Sequence, residues 1–212
     1  MPLDVFDYRT DIRNVVITPQ IRARFLRLQP GEVAKRHSHD LGHEVFLVLE
    51  GQCEFEIDGA RAVLGPGQMC FARVDQLHQV RTVGDEPMTM YLSVTPHVEP
   101  THTQWDEQGT KLPPHYGRAT QAERATDPEP TEALTGLVAR HVAAARALAE
   151  VAAMSAEAQA TGAAALERAL AVGDSVAAKA AVDGMWPHLS RTIRSVHELE
   201  AVWNELAPRG DA

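Results

Sequence analysis

The chain has 212 residues, with 20 Lys and Arg against 29 Asp and Glu, a formal charge of −9, 13 prolines, 14 glycines and two cysteines. That length suits one or two domains with a proper core. Apolar runs such as Val45 to Leu49 stop at a charge or a glycine, well short of the roughly 20 residues of a membrane-spanning helix. The acidic balance, without clustered Lys and Arg, argues against nucleic acid as a partner.

The opening Met1-Pro2-Leu3-Asp4-Val5 shows no basic segment followed by an apolar one, so a cytoplasmic protein is expected. Short β-branched and apolar runs then alternate with turn signals. Strands are predicted at Val15-Val16-Ile17, Ala23 to Leu28, Val45 to Leu49, Cys53 to Ile57, Met69 to Phe71, His78 to Val83 and Met88 to Val94. Asp58-Gly59 is the sharpest hairpin signal between them. Many short strands with close turns mean an antiparallel sandwich or barrel. Cys53 sits in a Cys53/Phe55/Ile57 row that alternates with Glu54 and Glu56, and both Cys53 and Cys70 are expected as reduced thiols. On the last strand either Met88, Met90, Leu92 and Val94 or Thr89, Tyr91, Ser93 and Thr95 must line the interior. The methionine row reads as ordinary core, with Tyr91 a candidate polar handle in the pocket. Arg22, Arg24 and Arg27 flank Phe25; they are candidates to meet a carboxylate substrate, but strand-surface arginines are usually solvated, and that is the reading taken.

Six of the thirteen prolines fall between residues 96 and 130, which marks a linker or wrapping arm, with His97, His102 and His115 expected as solvated loop residues. Beyond it, 21 of the 49 residues from Ala133 to Ala181 are alanine and apolar positions recur every three or four. One stripe runs Leu134, Leu137/Val138, His141, Ala145, Leu148 and Ala152; another runs Leu189, Ile193, Val196, Leu199, Trp203 and Leu206. Breaks at Gly162, Gly173-Asp174 and Gly184 to Pro187 predict three or four helices, with Pro187 in a first turn. The organisation is thus residues 1–100 as a β-domain, 101–130 as an arm and 131–208 as an α-helical region.

The stretch Gly31 to Gly51 carries the chemistry. His37 and His39 lie two apart on a strand and share a face. Glu44 is an odd number of residues further, but Asp40-Leu41-Gly42 offers a turn that resets the register, so Glu44 can face inward from the next strand. His43 then points to the opposite face. His78, after the Gly65-Pro66-Gly67 turn and at the start of an apolar strand, supplies a third imidazole. Three imidazoles and a carboxylate make a shell for a first-row transition metal.

These residues resemble the cupin superfamily. Gly31, His37, His39, Glu44 and Gly51 match its first motif, glycine, five residues, His-x-His, four residues, Glu, six residues, glycine, without a mismatch. Gly65-Pro66-Gly67 followed by His78 is similar to its second motif, with Gln68, Ala72, Arg73, Arg81 and Thr82 departing from it at positions that hold no metal. The resemblance covers about residues 15–95. It implies an all-β double-stranded β-helix, a conical barrel of six to eight strands of the jelly-roll type, ahead of the α-helical C-terminal bundle. It also implies a divalent transition metal (Fe, Mn, Ni, Cu or Zn) held inside by His37, His39, Glu44 and His78.

An ion in that shell has positions open to water, dioxygen or a substrate oxygen. The leading expectation is a small metal-dependent enzyme with oxygenase-type chemistry on a small organic substrate. A non-catalytic metal or ligand binder whose helical tail mediates dimerisation or signalling is one alternative, and a metal-dependent isomerase or lyase is another. No catalytic residue beyond the metal shell can be named from the sequence. A homodimer is expected, with neither nucleic acid nor membrane as partner.

Overall fold

In a computed structural model, residues 3–116 and 132–211 are described. The chain divides into two compact units, Met1–Pro130 with Ala207–Ala212 and Thr131–Leu206. Among the described residues the first unit holds ten strands: β1 (Asn14–Ile17), β2 (Arg22–Leu28), β3 (His37–Ser38), β4 (His43–Glu50), β5 (Cys53–Ile57), β6 (Ala60–Leu64), β7 (Met69–Ala72), β8 (His78–Thr82), β9 (Met88–Thr95) and β10 (Thr103–Gln104). They form two five-stranded sheets, ordered β1-β2-β9-β4-β7 and β10-β3-β8-β5-β6, with every pairing antiparallel. This is the double-stranded β-helix expected, with more strands than the six to eight anticipated.

All seven sequence-predicted strands are present. Two others, β6 and β10, were not expected, and the strand expected to carry His37 and His39 is the two-residue β3. β6 follows the Asp58-Gly59 turn, whose residues sit at φ 48° and 80° as a tight hairpin requires, yet four of its five residues are exposed, so no alternation marks it. β3 and β10 are two-residue strands that exist through each other, Thr103 pairing with Ser38 and Gln104 with His37. The proline-rich segment therefore contributes at least its first residues to the barrel. Trp105 Nε1 donates to Ser38 Oγ at 3.0 Å, and Thr103 Oγ1 to Asp40 Oδ1 at 2.7 Å. Lys111 Nζ lies 2.9 Å from Asp40 and 2.5 Å from Asp75. The rest of that segment, residues 117–131, lies outside the described residues.

Strand alternation sorts the interior into rows. On the first sheet Arg22, Val94 and Glu44 stand side by side, then Arg24, Leu92 and Phe46, then Leu26, Met90 and Val48. On the second, His37 faces His78, which faces Ile57; Val80 and Phe55 follow, then Thr82 and Cys53. Phe46, Val48, Cys53, Phe55, Leu64, Ala72, Val80, Met88, Met90 and Leu92 form one buried cluster. Met88 and Met90 are wholly buried, so the methionine row faces the interior and Tyr91 does not. Tyr91 instead packs edge-on against Phe25, which meets Tyr8 on its other side, giving the outer face of the sheet its own aromatic layer. Gly51 allows β4 to turn: at φ 69°, a Cβ there would lie 2.4 Å from Pro87 O. Both cysteines are free, and burial pushes the Cys53 thiol up to about 12 and that of Cys70 to about 11, which keeps them protonated and unreactive at neutral pH.

The second unit corrects the expectation of three or four helices, because two long ones are present, α1 (Leu134–Ala171) and α2 (Ser175–Gly210). Of the three expected breaks only Gly173-Asp174 is real. Gly173 adopts φ 70°, Asp174 N–H returns to Ala169 O at 2.9 Å, and Asp174 Oδ1 caps α2 through the N–H groups of Val176 and Ala177 at 3.1 and 2.9 Å. Gly162 is a site of close approach and not a break: a Cβ on it would fall 2.3 Å from Met185 Cγ. The Gly184 to Pro187 stretch runs through within α2. Trp203 stacks near His141 at 5.7 Å between rings, whereas Trp186, Leu189 and Ile193 are exposed. No described helix is long and apolar enough to cross a membrane.

Candidate metal centre

Asp40-Leu41-Gly42 carries the chain from β3 in one sheet to β4 in the other, and this sets Glu44 opposite the histidines. The turn has no room for a side chain at Gly42, where a Cβ would lie 2.7 Å from Val94 Cγ1 and 3.1 Å from Pro96 O. His37 and His78 are direct cross-strand partners, and His39 follows β3. One ligand atom from each of His37, His39, Glu44 and His78 lies within 4.8 Å of the others. His39, Glu44 and His78 are each 3% exposed, whereas His43 is exposed and outside the group.

The hydrogen bonds behind the imidazoles show what this group is suited to hold. His37 donates Nδ1–H to Lys35 O and His78 to Gln76 O, both at 2.8 Å, and His39 to Thr101 O. A carbonyl only accepts, so these bonds fix the Nδ1–H tautomer and leave a lone pair on each Nε2. All three lone pairs face a single atom, Glu44 Oε2, at 2.8 Å from His39, 3.0 Å from His78 and 3.7 Å from His37. Lone pairs do not bond one another; the cluster is cohesive only with positive charge in its midst. Burial opposes supplying that charge as protons, since it lowers the His37 pKa below the usual imidazole value. His37 Nε2 is buried with no partner at hydrogen-bond distance. The residues thus fit a divalent metal ion, with three neutral nitrogens and one anionic oxygen.

Two parts of the site were misjudged in the sequence. His102 is no solvated loop residue: its ring lies 4.7 Å from that of His37 and 5.1 Å from that of His39, and Thr101 Oγ1 meets its Nδ1 at 2.9 Å. Burial, reinforced by His37, pushes its pKa down to about 2, so it stands in the site as a neutral hydrogen-bonding group. His97 is likewise buried. Arg22 and Arg24, expected on the surface, face inward; Arg22 is 3% exposed, with its guanidinium 3.7 Å from Glu44 Oε1. The missed signal was their spacing: Arg22, Arg24 and Leu26 share one face of β2, and Phe25 lies on the other. A cavity of about 230 Å³ opens beside the cluster, lined by both arginines, Phe46, Phe55, Leu92 and His102 among others.

Residues 24–95 match the family model described as a cupin domain. Polyketide synthase CurC of Streptomyces cyaneus is 33% identical over 69 residues, 32% of this chain and 45% of that protein, so the match spans less than half of the relative. A conserved protein with a double-stranded β-helix domain from Klebsiella pneumoniae is 22% identical, covers 45% of this chain and 91% of its own, and has a TM-score of 0.43. KdgF from Halomonas is 23% identical over 40% of this chain and 77% of its own, with a TM-score of 0.38.

Proposed function

We propose that this chain, whose barrel is a cupin domain, is a metal-dependent enzyme in which His37, His39, Glu44 and His78 hold one divalent transition-metal ion. The reaction proposed is oxygenation of a small enolisable or phenolic molecule in the adjoining cavity. The observation that carries this reading is the convergence of three carbonyl-anchored imidazoles on one buried carboxylate oxygen beside a cavity lined by both polar and apolar side chains. Such an ion, when bound with coordination positions open, supplies dioxygen chemistry or Lewis acidity. Phe46, Phe55 and Leu92 line the cavity and exclude water from the substrate carbon skeleton. Arg22 steadies the Glu44 carboxylate from its Oε1 side. His102, neutral and rimming the same space, hydrogen-bonds a substrate hydroxyl or carbonyl. The Streptomyces relative bears the name of a polyketide synthase, and polyketides are rich in enolisable carbonyls, which places 1,3-dicarbonyl compounds first in a substrate panel.

The test is oxygen uptake by protein reconstituted in turn with Fe(II), Mn(II), Ni(II), Cu(II) and Zn(II), over a panel of 1,3-dicarbonyls and phenols. Substrate-dependent uptake with a redox-active metal is expected. Turnover without uptake replaces this reading with an isomerase or lyase, and absence of any turnover with a loaded site leaves a metal-dependent binder. The same reading takes the chain as cytoplasmic and as a homodimer; the exposed Val182, Trp186, Leu189 and Ile193 on α2 support the dimer, which sedimentation equilibrium tests.

A further inference from the structure

Residues 101–112 hold their shape largely through bonds of their own. Trp105 and Lys111 pair across a turn in which Asp106 N–H donates to Thr110 O at 3.0 Å and Leu112 N–H to Gln104 O at 2.9 Å. Asp106 Oδ1 accepts the Thr110 N–H at 2.7 Å, and Lys111 Nζ stands 5.5 Å from the centre of the Trp105 ring.

This small hairpin lies along the imidazole cluster. Thr101 O takes the Nδ1–H of His39, while Gln104 pairs with His37 and Thr103 with Ser38. Side chains fasten the same places. Thr103 Oγ1 donates to Asp40, the residue after His39, and Trp105 Nε1 to Ser38 Oγ, between the two histidines, where Ser38 is fully buried. Lys111 joins Asp40 to Asp75; Asp75 N–H donates to His39 O at 2.9 Å, and the next residue, Gln76, supplies the carbonyl that holds His78. The ion pairs of Lys111 are solvent-exposed and contribute little, which leaves Thr103 and Trp105 as the firmer side-chain fastenings. β3 itself is two residues long and meets β8 only at His37 opposite His78, so most of what sets its two histidines comes from residues 101–112.

A state that binds an ion more tightly is populated further when the ion is present, and the reverse holds equally. We propose that residues 101–112 are a strap whose docking on β3 is thermodynamically linked to occupancy of the metal centre, with Thr103 and Trp105 as positioning residues for His37 and His39. This rests on the assignment of His37, His39, Glu44 and His78 as metal ligands and adds what keeps them in place.

The experiment is amide hydrogen exchange on the full chain, metal-depleted and loaded with Zn(II), with metal content recorded on the same samples. In wild type, Zn(II) is expected to slow exchange over residues 101–112 by about tenfold. Thr103→Val and Trp105→Phe should each weaken Zn(II) binding by about ten- to a hundredfold and alter the visible spectrum of the Co(II)-loaded protein, which reports ligand geometry. Thr103→Ser, which keeps the hydroxyl, should restore both. Met88→Ala, in the buried core, serves as the control for a merely structural loss and should leave affinity, spectrum and strap protection unchanged in the folded fraction. Wild type that loads Zn(II) without protecting the strap overturns the inference, as does an affinity and spectrum unchanged in both strap variants, or changed equally in Met88→Ala. Wild type that takes up neither ion overturns the metal-centre reading and this inference with it, so the two failures are distinguishable.

Discussion

The two ends of the barrel interior share strands β4, β8 and β9 and differ in which residues those strands deliver, with β3 contributing His37 at one end only. On β4, Glu44 stands at one end and Val48 two inward positions away; on β8, His78 and then Val80; on β9, Val94 and then Met88 at the far end. One end holds three imidazoles, a carboxylate and two arginines beside a cavity, and the other is a close-packed plug of Val48, Cys53, Met88 and Met90, each fully buried. The plug gains stability from apolar burial, whereas the site end takes polar groups out of water for a structure that is cohesive only around a cation. A fold of this kind therefore separates stability from chemistry along one axis, and substitutions at the two ends should fail in different ways.

The sharpest contrast is between His78→Ala and Met88→Ala. Removing an imidazole is expected to weaken metal binding by more than about a hundredfold, beyond the cost of losing an outer partner, while the melting temperature of the metal-free form barely moves. Met88→Ala should cost about 2–5 kcal/mol of stability in chemical denaturation and leave metal affinity in the folded fraction unchanged. If either variant shows the other's phenotype, the two ends are not separable. Gly42→Ala probes the boundary between them. Its Cβ would meet Val94 and Pro96, and since the turn sets Glu44 opposite His39, a moderate loss of both stability, about 1–3 kcal/mol, and metal affinity is expected.

The smallest expected effect concerns pH. Burial raises the Glu99 carboxyl to about 7, against a partial offset from the Thr101 N–H and Arg22. The folded chain therefore keeps its proton where the unfolded chain releases it, so this contribution is full below the ordinary carboxylate range and is lost as pH rises through about 7. Metal-free wild type should lose stability relative to Glu99→Gln between pH 4.5 and 7, read from paired urea titrations. The opposite slope would mean that Glu99 is charged in the fold.

The sequence made the barrel legible because alternating burial leaves a period of two, as in Cys53, Phe55 and Ile57, and the ligand set legible because its spacing is fixed by strand geometry and one turn. What it hid follows from the same physics. Period two tells which residues share a face and not which face is inward, so Arg22 and Arg24 were read as solvated, and Tyr91 was weighed against the methionine row. β6 lacks alternation because nearly all of it is exposed. His102 sits among prolines, and only the pairing of β10 with β3, a contact between residues 65 or more apart in sequence, carries it into the site. In the helical region Gly162 looked like a break because a glycine at a close helix approach and one at a helix end are indistinguishable without the partner, here Met185.

The central claim is that the imidazole end holds a metal. Element-resolved analysis of untagged protein purified without chelators, beside a His37→Ala/His39→Ala variant, tests it most directly. Near-stoichiometric iron, manganese, copper, nickel or zinc in the wild type, lost in the variant, is the result this account predicts. Wild-type protein that carries no metal and takes up none when it is added would contradict it.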